Sequence, residues 1–347
     1  MTENSGLPEN VIAALRRLGL LEGDGKYAAH PLAGGVSSDI WLVDAGTRRM
    51  CVKSALPRLR VAEEWYAPLS RNSTEVAWMR RAATIVPEAV PTVLGHDPEA
   101  GVFAMEYLPP ESYSLWKNLL RDGVAREEDA VRVARILLRI HSATAGDADV
   151  AREFATDGDF FALRLEPYLL ATAARNPDMA DRLRGLVDAC LANRLALVHG
   201  DVSPKNILIG PAGPVFLDAE TAWYGDPAFD VAFCLNHLLL KCVWNPGARG
   251  AIRRCFDSFC AEYLAGVDWE PAARLERRVA ALLPGLSLAR IDGKSPVEYL
   301  DAEARSWVRG TARDMLRQGF QALSDLRQNW DAALDGFARD RTGGHQA

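Results

Sequence analysis

Residues 198–208 read VHGDVSPKNIL, and residues 215–220 follow with VFLDAE. Short apolar runs alternate here with polar turns, which predicts strands that end close to Asp201 and Asp218. Asn206 follows Asp201 after a loop that contains a proline. Carboxylate and amide oxygens at adjacent strand ends can converge, and they are the ligands that a hard cation such as Mg2+ prefers. The stretch therefore predicts an oxygen-lined site in which a remaining carboxylate can accept the proton of a hydroxyl.

This stretch resembles the catalytic loop of the aminoglycoside-phosphotransferase family and its choline-kinase-like relatives, which share the protein-kinase-like fold. The pattern H-G-D-x-x-x-x-N followed by D-x-E matches the loop and metal motif of that family in order and spacing. The resemblance implies that Asp201 is the catalytic base and that Asn206 and Asp218 hold Mg2+. It also implies that Glu220 is an auxiliary acid near the metal and that His199 is a structural hydrogen-bonding residue.

The resemblance implies a phosphate-covering loop in the N-terminal third of the chain. Residues 32–38 (LAGGVSS) lie between two predicted strands, where the family has such a loop. Glycines let the backbone approach a phosphate, and serine hydroxyls can donate to it. Taken by itself, the segment is an ordinary β-turn. The expected phosphate-contacting residues are Gly34, Gly35, Ser37 and Ser38.

Lys53 ends the third predicted strand, where the family carries a lysine that neutralises the α- and β-phosphates of ATP. A lysine at a strand end is, taken alone, an exposed charge with no function. Glu75, on the following predicted helix, is the expected partner that fixes Lys53 by an ion pair. Glu63 and Glu64 remain alternative partners.

Residues 105–108 (MEYL) fall where this fold has its hinge, so Glu106 and Tyr107 are expected to offer backbone groups to adenine. Downstream, residues 223–230 resemble the G-D-P-x-x-D element of the family. Asp230 is expected to brace the catalytic loop, and Asp226 to do likewise or to cap a helix.

Two departures from protein kinases favour a small-molecule kinase. Gly200 stands where protein kinases have the arginine that reads activation-loop phosphorylation, and few residues separate Asp218 from the G-D-P element. A regulatory loop and a peptide-docking platform therefore have no room. The expected reaction is transfer of the γ-phosphoryl group of ATP, with Mg2+, to a hydroxyl of a small molecule such as an aminoglycoside-like antibiotic, a sugar or an amino alcohol. A catalytically idle nucleotide-binding pseudokinase is the alternative.

The 347 residues predict an α+β, protein-kinase-like fold with two lobes: residues 1–108 form a β-rich N-terminal lobe, and residues 109–347 form a larger, mainly helical lobe. Apolar periodicity predicts the helices of the second lobe. These helices span residues 126–145, 160–174, 178–193, 228–240, 249–265, 269–283 and 298–335.

Composition excludes several other classes of protein. The net charge of −6 and the absence of a basic tract argue against a nucleic-acid partner. The most apolar stretch, residues 231–244, is interrupted by Asn236, His237 and Lys241 and is too short to span a bilayer. The N-terminus lacks the pattern of a signal peptide, and six scattered cysteines are expected to be reduced thiols of a cytoplasmic protein.

The identity of the acceptor stays open at the level of sequence. Residues 290–298 form a polar segment between apolar helices, in the region that builds the acceptor site of related kinases. An inter-helix turn explains that segment equally well. Trp223, Tyr224 and Trp244 can stack on an acceptor or belong to the core. The oligomeric state and the choice between ATP and GTP are likewise undetermined.

Overall fold

The computed structural model describes residues 6–22, 26–32, 37–46, 48–56, 68 and 70–343. In chain order, the elements are α1 (Glu9–Arg17), β1 (Ala28–Pro31), β2 (Ser38–Asp44), β3 (Arg49–Ala55), α2 (Arg71–Ala83), β4 (Val93–Asp97), β5 (Val102–Glu106), β6 (Ser114–Leu115), α3 (Trp116–Arg121), α4 (Glu127–Thr144), α5 (Ala148–Glu153), α6 (Asp157–Phe160), α7 (Ala171–Arg175), α8 (Ala180–Ala192), β7 (Ala196–Val198), β8 (Ile207–Gly210), β9 (Gly213–Phe216), β10 (Trp223–Gly225), α9 (Ala228–Trp244), α10 (Arg249–Ala265), α11 (Ala272–Asp292), α12 (Ala302–Gln318) and α13 (Leu323–Gly343).

The chain divides into two compact units. Unit 1 comprises Met1–Ser114 and Leu208–Ala222, and unit 2 comprises Leu115–Ile207 and Trp223–Ala347. The segment that carries Asp218 and Glu220 therefore belongs to unit 1, although it lies far beyond residue 108 in sequence. Unit 2 contains the helices from α3 onward together with the loop that carries Asp201.

Unit 1 is built on a five-stranded antiparallel sheet with the order β1-β2-β3-β5-β4. Helix α1 buries Val11, Ala14 and Leu15 in the core of this sheet. Lys53 of β3 is buried together with its apolar neighbours, so the strand places a charged side chain in the interior of unit 1. The sheet thus fixes the backbone from which that lysine projects.

The central helix of unit 2, α9, is buried on all sides. Every residue of α9 from Ala228 to Val243 is buried, which is typical of a helix in the centre of a core. Helices α4 and α10 pack against each other, and α11 packs against both α9 and α12. Polar residues on α9 are consequently confined within the protein.

Most predicted helices and strands agree with the structure, with the following differences. Helices α3 and α5 were not predicted, and α11 ends at Asp292 rather than at residue 283. Residues 298–335 form two helices rather than one, because Gly319 has a left-handed backbone with φ of 69° between α12 and α13. The helix predicted at 160–174 contains a π-helical stretch, Phe161–Leu170, that includes Pro167. Strands β4, β6 and β10 were missed; β6 and β10 span only two and three residues.

The six cysteines are free thiols, as the sequence analysis expected. In the part of the chain that the structure describes, no helix combines the length and apolarity needed to cross a membrane.

Candidate functional site

Unit 1 brings Lys53 together with two carboxylates. Lys53 Nζ donates to both oxygens of Glu75, at 2.8 and 2.7 Å, and to Asp218 Oδ1 at 2.8 Å. Lys53 is 3% exposed and Glu75 is 2% exposed. The ion pair that was expected between strand and helix is therefore present and buried. The alternative partners, Glu63 and Glu64, lie outside the described residues.

The electrostatic balance around Lys53 favours its charged form. Burial alone would lower the pKa of Lys53, but Asp218 and Glu75 raise it above its ordinary value. Burial raises the pKa of Glu75, with Lys53 opposing the shift. A permanently charged lysine with an accessible carboxylate beside it can neutralise a phosphate while the carboxylate holds a divalent cation.

Asp218 has an unusual backbone for a residue with a side chain. Its φ is 67°, and no other non-glycine residue of the described chain has a positive φ. This conformation is sterically costly and recurs where function requires a particular side-chain direction. The side chain of Asp218 remains 27% exposed, so the carboxylate is accessible to a metal ion or its water.

Glu220 lies against Arg71, a residue that the sequence analysis did not identify. Arg71 Nε donates to Glu220 Oε2 at 2.9 Å, and the guanidinium also donates to the carbonyls of Ser37, Leu56 and Pro68. The side chain of Arg71 is fully buried. Arg71 therefore connects the DAE segment to the backbone that flanks the phosphate-loop region. No motif in the sequence marks it, and the structure places it at the start of α2.

The remaining residues predicted to bind the nucleotide are only partly described. Gly34 and Gly35 lie outside the described residues. Ser37 and Ser38 are buried at the start of β2. Their hydroxyls as phosphate donors remain a prediction.

The hinge residues end strand β5. Glu106 N–H donates to Thr92 O at 2.8 Å, and its carboxylate accepts from the Thr92 hydroxyl at 3.1 Å. The ring of Tyr107 lies under the guanidinium of Arg49, 4.7 Å from centroid to Cζ. Because one hinge N–H is used within the sheet, adenine recognition at Glu106 and Tyr107 stays a prediction.

Unit 2 holds Asp201 between two cations. Arg164 Nη2 lies 2.9 Å from Asp201 Oδ2, and Lys205 Nζ lies 3.0 Å from the same oxygen. Asp201 is 3% exposed, whereas the Lys205 side chain is 48% exposed. A carboxylate held by two cations is a well-oriented acceptor for a hydroxyl hydrogen.

The backbone of the catalytic loop is fixed by Asp230 on α9. Its two carboxylate oxygens accept from His199 N–H at 2.7 Å and Gly200 N–H at 2.8 Å. Gly200 has φ of 80°, a left-handed conformation that a side chain would disfavour. His199 Nδ1 accepts from Asp201 N–H at 3.2 Å. Asp230 and His199 thus have the bracing contacts that were expected of them.

Asn206 is oriented for ligation by oxygen. Its Nδ2 donates to the Asp201 carbonyl at 3.1 Å, which leaves the amide oxygen as the acceptor. The donor chemistry of Asn206 and Asp218 fits a hard cation such as Mg2+. Among the described residues, no three His, Cys, Asp or Glu side chains gather as a metal site.

Arg164 became visible only in three dimensions, whereas a helix-capping role was among those expected of Asp226. Arg164 projects from the π-helical stretch and also donates through Nε to the Gly200 carbonyl at 2.6 Å. No motif marks it, because its partners are 36 and 37 residues away in sequence. Asp226 caps α9 by accepting from Ala228 N–H at 3.0 Å and pairs with Arg278 at 2.8 Å.

The polar segment 290–298 begins within a helix rather than a turn. Helix α11 extends to Asp292, which pairs with Arg309 of α12 at 2.7 Å. Lys294 pairs with Glu166 at 2.8 Å. Trp223 is core, stacked on Phe160 with ring centroids 4.3 Å apart.

Comparison with known proteins agrees with this architecture. Residues 28–241, more than half of the chain, match the Phosphotransferase enzyme family. The methylthioribose kinase of Pectobacterium atrosepticum is 29% identical over 264 residues, which cover 64% of this chain and 65% of that enzyme. The chain thus spans about 65% of the length of this curated relative. The methylthioribose kinase of Erwinia tasmaniensis is 28% identical over 335 residues, covering 84% of this chain and 79% of that enzyme.

A solved structure shows the same fold at low sequence identity. An amicoumacin kinase in complex with AMP-PNP, Ca2+ and amicoumacin superposes with a TM-score of 0.53 and 12% identity, over 91% of this chain and 96% of that one. The predicted protein-kinase-like α+β fold is therefore confirmed. By the extent of its match, the chain belongs to the Phosphotransferase enzyme family.

Proposed function

We propose that this protein is an ATP- and Mg2+-dependent kinase that phosphorylates a hydroxyl of a small molecule. The observation that carries the proposal is Asp201, buried on a braced loop and held by Arg164 and Lys205. Relatives named methylthioribose kinases support a sugar-like acceptor. The nucleotide and Ca2+ of the amicoumacin kinase complex support ATP with a divalent metal.

In the proposed reaction, the acceptor oxygen forms a bond to the γ-phosphorus while the bond between that phosphorus and the β-bridging oxygen breaks, releasing ADP. Asp201, held in place by its two cationic neighbours, orients the hydroxyl and takes its proton. Lys205 and Arg164 place positive charge beside Asp201, which favours the transfer of a negatively charged phosphoryl group there.

The residues of unit 1 are assigned to binding the nucleotide. Lys53, fixed by Glu75, neutralises phosphates, and Asp218 is assigned to the metal. In unit 2, Asn206 is assigned to metal binding on the family resemblance. Mg2+, when bound there, would supply positive charge that offsets the negative charge developing on the transferred phosphoryl group. The 34–38 loop and the hinge at Glu106 and Tyr107 are assigned to ATP on the family resemblance. A cytoplasmic location without a nucleic-acid partner completes the proposal.

Nucleotide binding and transfer can be tested separately. Thermal unfolding is measured with ATP, GTP and ADP, each with and without Mg2+. A nucleotide at 100 times its Kd stabilises the native state by about 2.7 kcal/mol. No midpoint shift with any nucleotide would contradict the proposal and favour an idle scaffold.

Two matched variants then locate the chemistry. Asp201→Asn is expected to keep the Mg-ATP-dependent shift and to lose about 10²–10⁴-fold in ADP release with an acceptor. Asp218→Asn is expected to lose the Mg2+ dependence of the shift itself. Undiminished turnover by Asp201→Asn would refute the assigned mechanism.

A further inference from the structure

Unit 2 contains buried cations that lack a carboxylate partner. We define the cationic cluster as Lys241 and Arg290, together with the neighbouring Lys117, which pairs with Glu298, and the neighbouring imidazole of His237. Lys241 is 1% exposed, and its Nζ has no hydrogen-bond partner within the described residues. Its Nζ instead lies over two aromatic rings, 4.0 Å from the centroid of Trp244 and 3.5 Å from that of Tyr299.

Arg290 is also buried and has only neutral acceptors. It is 7% exposed, and its Nη1 donates to the carbonyl of Ser295, to the Ser295 hydroxyl at 2.9 Å and to Tyr168 Oη at 3.3 Å. Arg290 Nε has no partner within the described part of the chain. The charge of the guanidinium is therefore solvated by dipoles but not neutralised.

The nearby carboxylate is already used by another cation. Glu298 accepts from Lys117 at 2.7 Å, and its side chain is 67% exposed. Lys117, Lys241 and Arg290 thus share one carboxylate, which leaves an excess of positive charge. Burying a charge without a counter-ion is unfavourable, and cation–π contacts offset only part of that cost.

The lowered pKa values of Lys241 and His237 agree with this excess of positive charge. Burial lowers the pKa of Lys241 to about 7, with Lys117 and Arg290 contributing and Glu298 opposing. Burial also lowers the pKa of His237, and Arg290, Lys241, Lys205 and Lys117 lower it further. Lys117 Nζ lies 5.9 Å from the centroid of the Tyr299 ring that also lies under Lys241 Nζ, so these two cations share an aromatic neighbour.

The cationic cluster adjoins the residues that hold Asp201. Lys205, which contacts Asp201, is one of the cations that act on His237. Arg290 Cζ lies 5.8 Å from the ring centroid of Tyr168, and Arg164 Cζ lies 6.0 Å from the same centroid. The cluster is thus linked to the catalytic carboxylate by way of both of its cationic partners.

The cationic cluster also reaches the protein surface. Trp244 and Tyr299 are half-buried, and the side chain of Lys117 is 31% exposed. The two rings that cover Lys241 Nζ are thus themselves partly exposed to solvent.

We propose that the acceptor carries, besides its hydroxyl, an anionic group that Lys241 and Arg290 bind. The group is a carboxylate or a phosphate ester, which share the oxygen acceptors that ammonium and guanidinium groups recognise. This inference rests on the proposed kinase function. It disfavours amino alcohols and polycationic aminoglycosides as acceptors, because a cation would be repelled by the cluster.

The first test measures binding without turnover. Calorimetric titrations, in saturating Mg-AMP-PNP, use matched pairs of compounds: D-glycerate and glycerol, D-gluconate and D-glucitol, and D-ribose 5-phosphate and D-ribose. The expected result is that the anionic members bind at least about tenfold more tightly, as a charge-assisted hydrogen bond requires. Equal binding within every pair, or preference for ethanolamine or kanamycin, would overturn the inference. The pairs also separate carboxylate from phosphate ester.

The second test removes the charge at Lys241. Lys241→Met is expected to weaken binding of the preferred anion about 10- to 100-fold, to raise its KM when it is turned over, and to leave the KM for ATP unchanged. Lys26→Met, at an exposed lysine of unit 1, is the control for loss of one positive charge. Removing an unpaired buried charge should not impair folding, and Arg290→Gln provides a second variant with the same expectation.

The outcomes separate the inference from the proposed function. A variant that changes the KM for ATP instead of the affinity for the anion would assign the cluster to the nucleotide and overturn the inference. A wild-type protein that phosphorylates a neutral or cationic acceptor, with the anionic partner inactive, would overturn it while leaving the kinase function intact. Absence of any nucleotide binding would refute the kinase function itself.

Discussion

Two buried cations of unit 1 and two of unit 2 have opposite surroundings. In unit 1, Lys53 and Arg71 are buried against carboxylates of the same unit. In unit 2, Lys241 and Arg290 are buried against aromatic rings and neutral acceptors. A counter-ion offsets much of the desolvation penalty of a buried charge. A buried charge without a counter-ion keeps that penalty and lowers the stability of the fold. This difference is the reason for assigning Lys241 and Arg290, rather than Arg71, to the binding of a ligand.

The largest expected effect follows from breaking the matched pair in unit 1. Lys53→Met leaves Glu75 buried without its cation, so we expect the free energy of unfolding to fall by about 3–5 kcal/mol. Turnover should also be lost, because phosphate neutralisation is lost. Urea unfolding and ADP release measure the two effects. Lys26→Met, at an exposed lysine, is the control, and an equal loss in both variants would contradict the proposed pairing.

A smaller effect is expected at the second matched pair. Glu220→Gln keeps an oxygen acceptor for Arg71 but removes its charge, so we expect a loss of about 1.5–3 kcal/mol in the free energy of unfolding. If Glu220 acts only through Arg71, the Mg2+ concentration needed for activity should stay unchanged. A raised Mg2+ requirement would instead support the auxiliary acid near the metal that the family resemblance implies.

The smallest expected effect is a pH dependence at the unmatched lysine. The pKa of Lys241 falls from 10.5 to about 7 in the folded protein, chiefly by burial. Between these values the unfolded chain binds more protons, so the contribution of Lys241 to stability rises with pH. The stability of the wild type relative to Lys241→Met should increase by less than about 1.4 kcal/mol between pH 7.5 and 8.5.

Urea unfolding of the wild type and Lys241→Met at both pH values checks this expectation. The charged groups that act on Lys241, namely Lys117, Arg290 and Glu298, are present in both proteins, so the difference isolates Lys241. A constant difference across the window would show that Lys241 keeps its charge in the fold. An anion bound at the cluster should favour protonated Lys241, so its affinity should fall as the pH rises above about 7.

The loop around Asp201 was predictable because its polar residues follow one another in a short pattern of fixed order. Asp201, Asn206 and Asp218 lie within 18 consecutive residues, at spacings that a motif can specify. The Lys53–Glu75 pair was predictable from strand and helix order together with the family resemblance. The helix break at Gly319 was missed because periodicity continues across it, whereas a single left-handed residue redirects the chain.

The sequence by itself determined the fold class, the family and the loop around Asp201, since local propensities and short-range spacing encode them. Only the tertiary structure decided that Arg164 holds Asp201, that Arg71 holds Glu220, and that Lys241 Nζ has no hydrogen-bond partner among the described residues. In sequence, Lys241 is merely a polar interruption of an apolar helix. Whether a charge is matched depends on which helices pack around it, because the partner of a buried ion is set by distance in space and not along the chain.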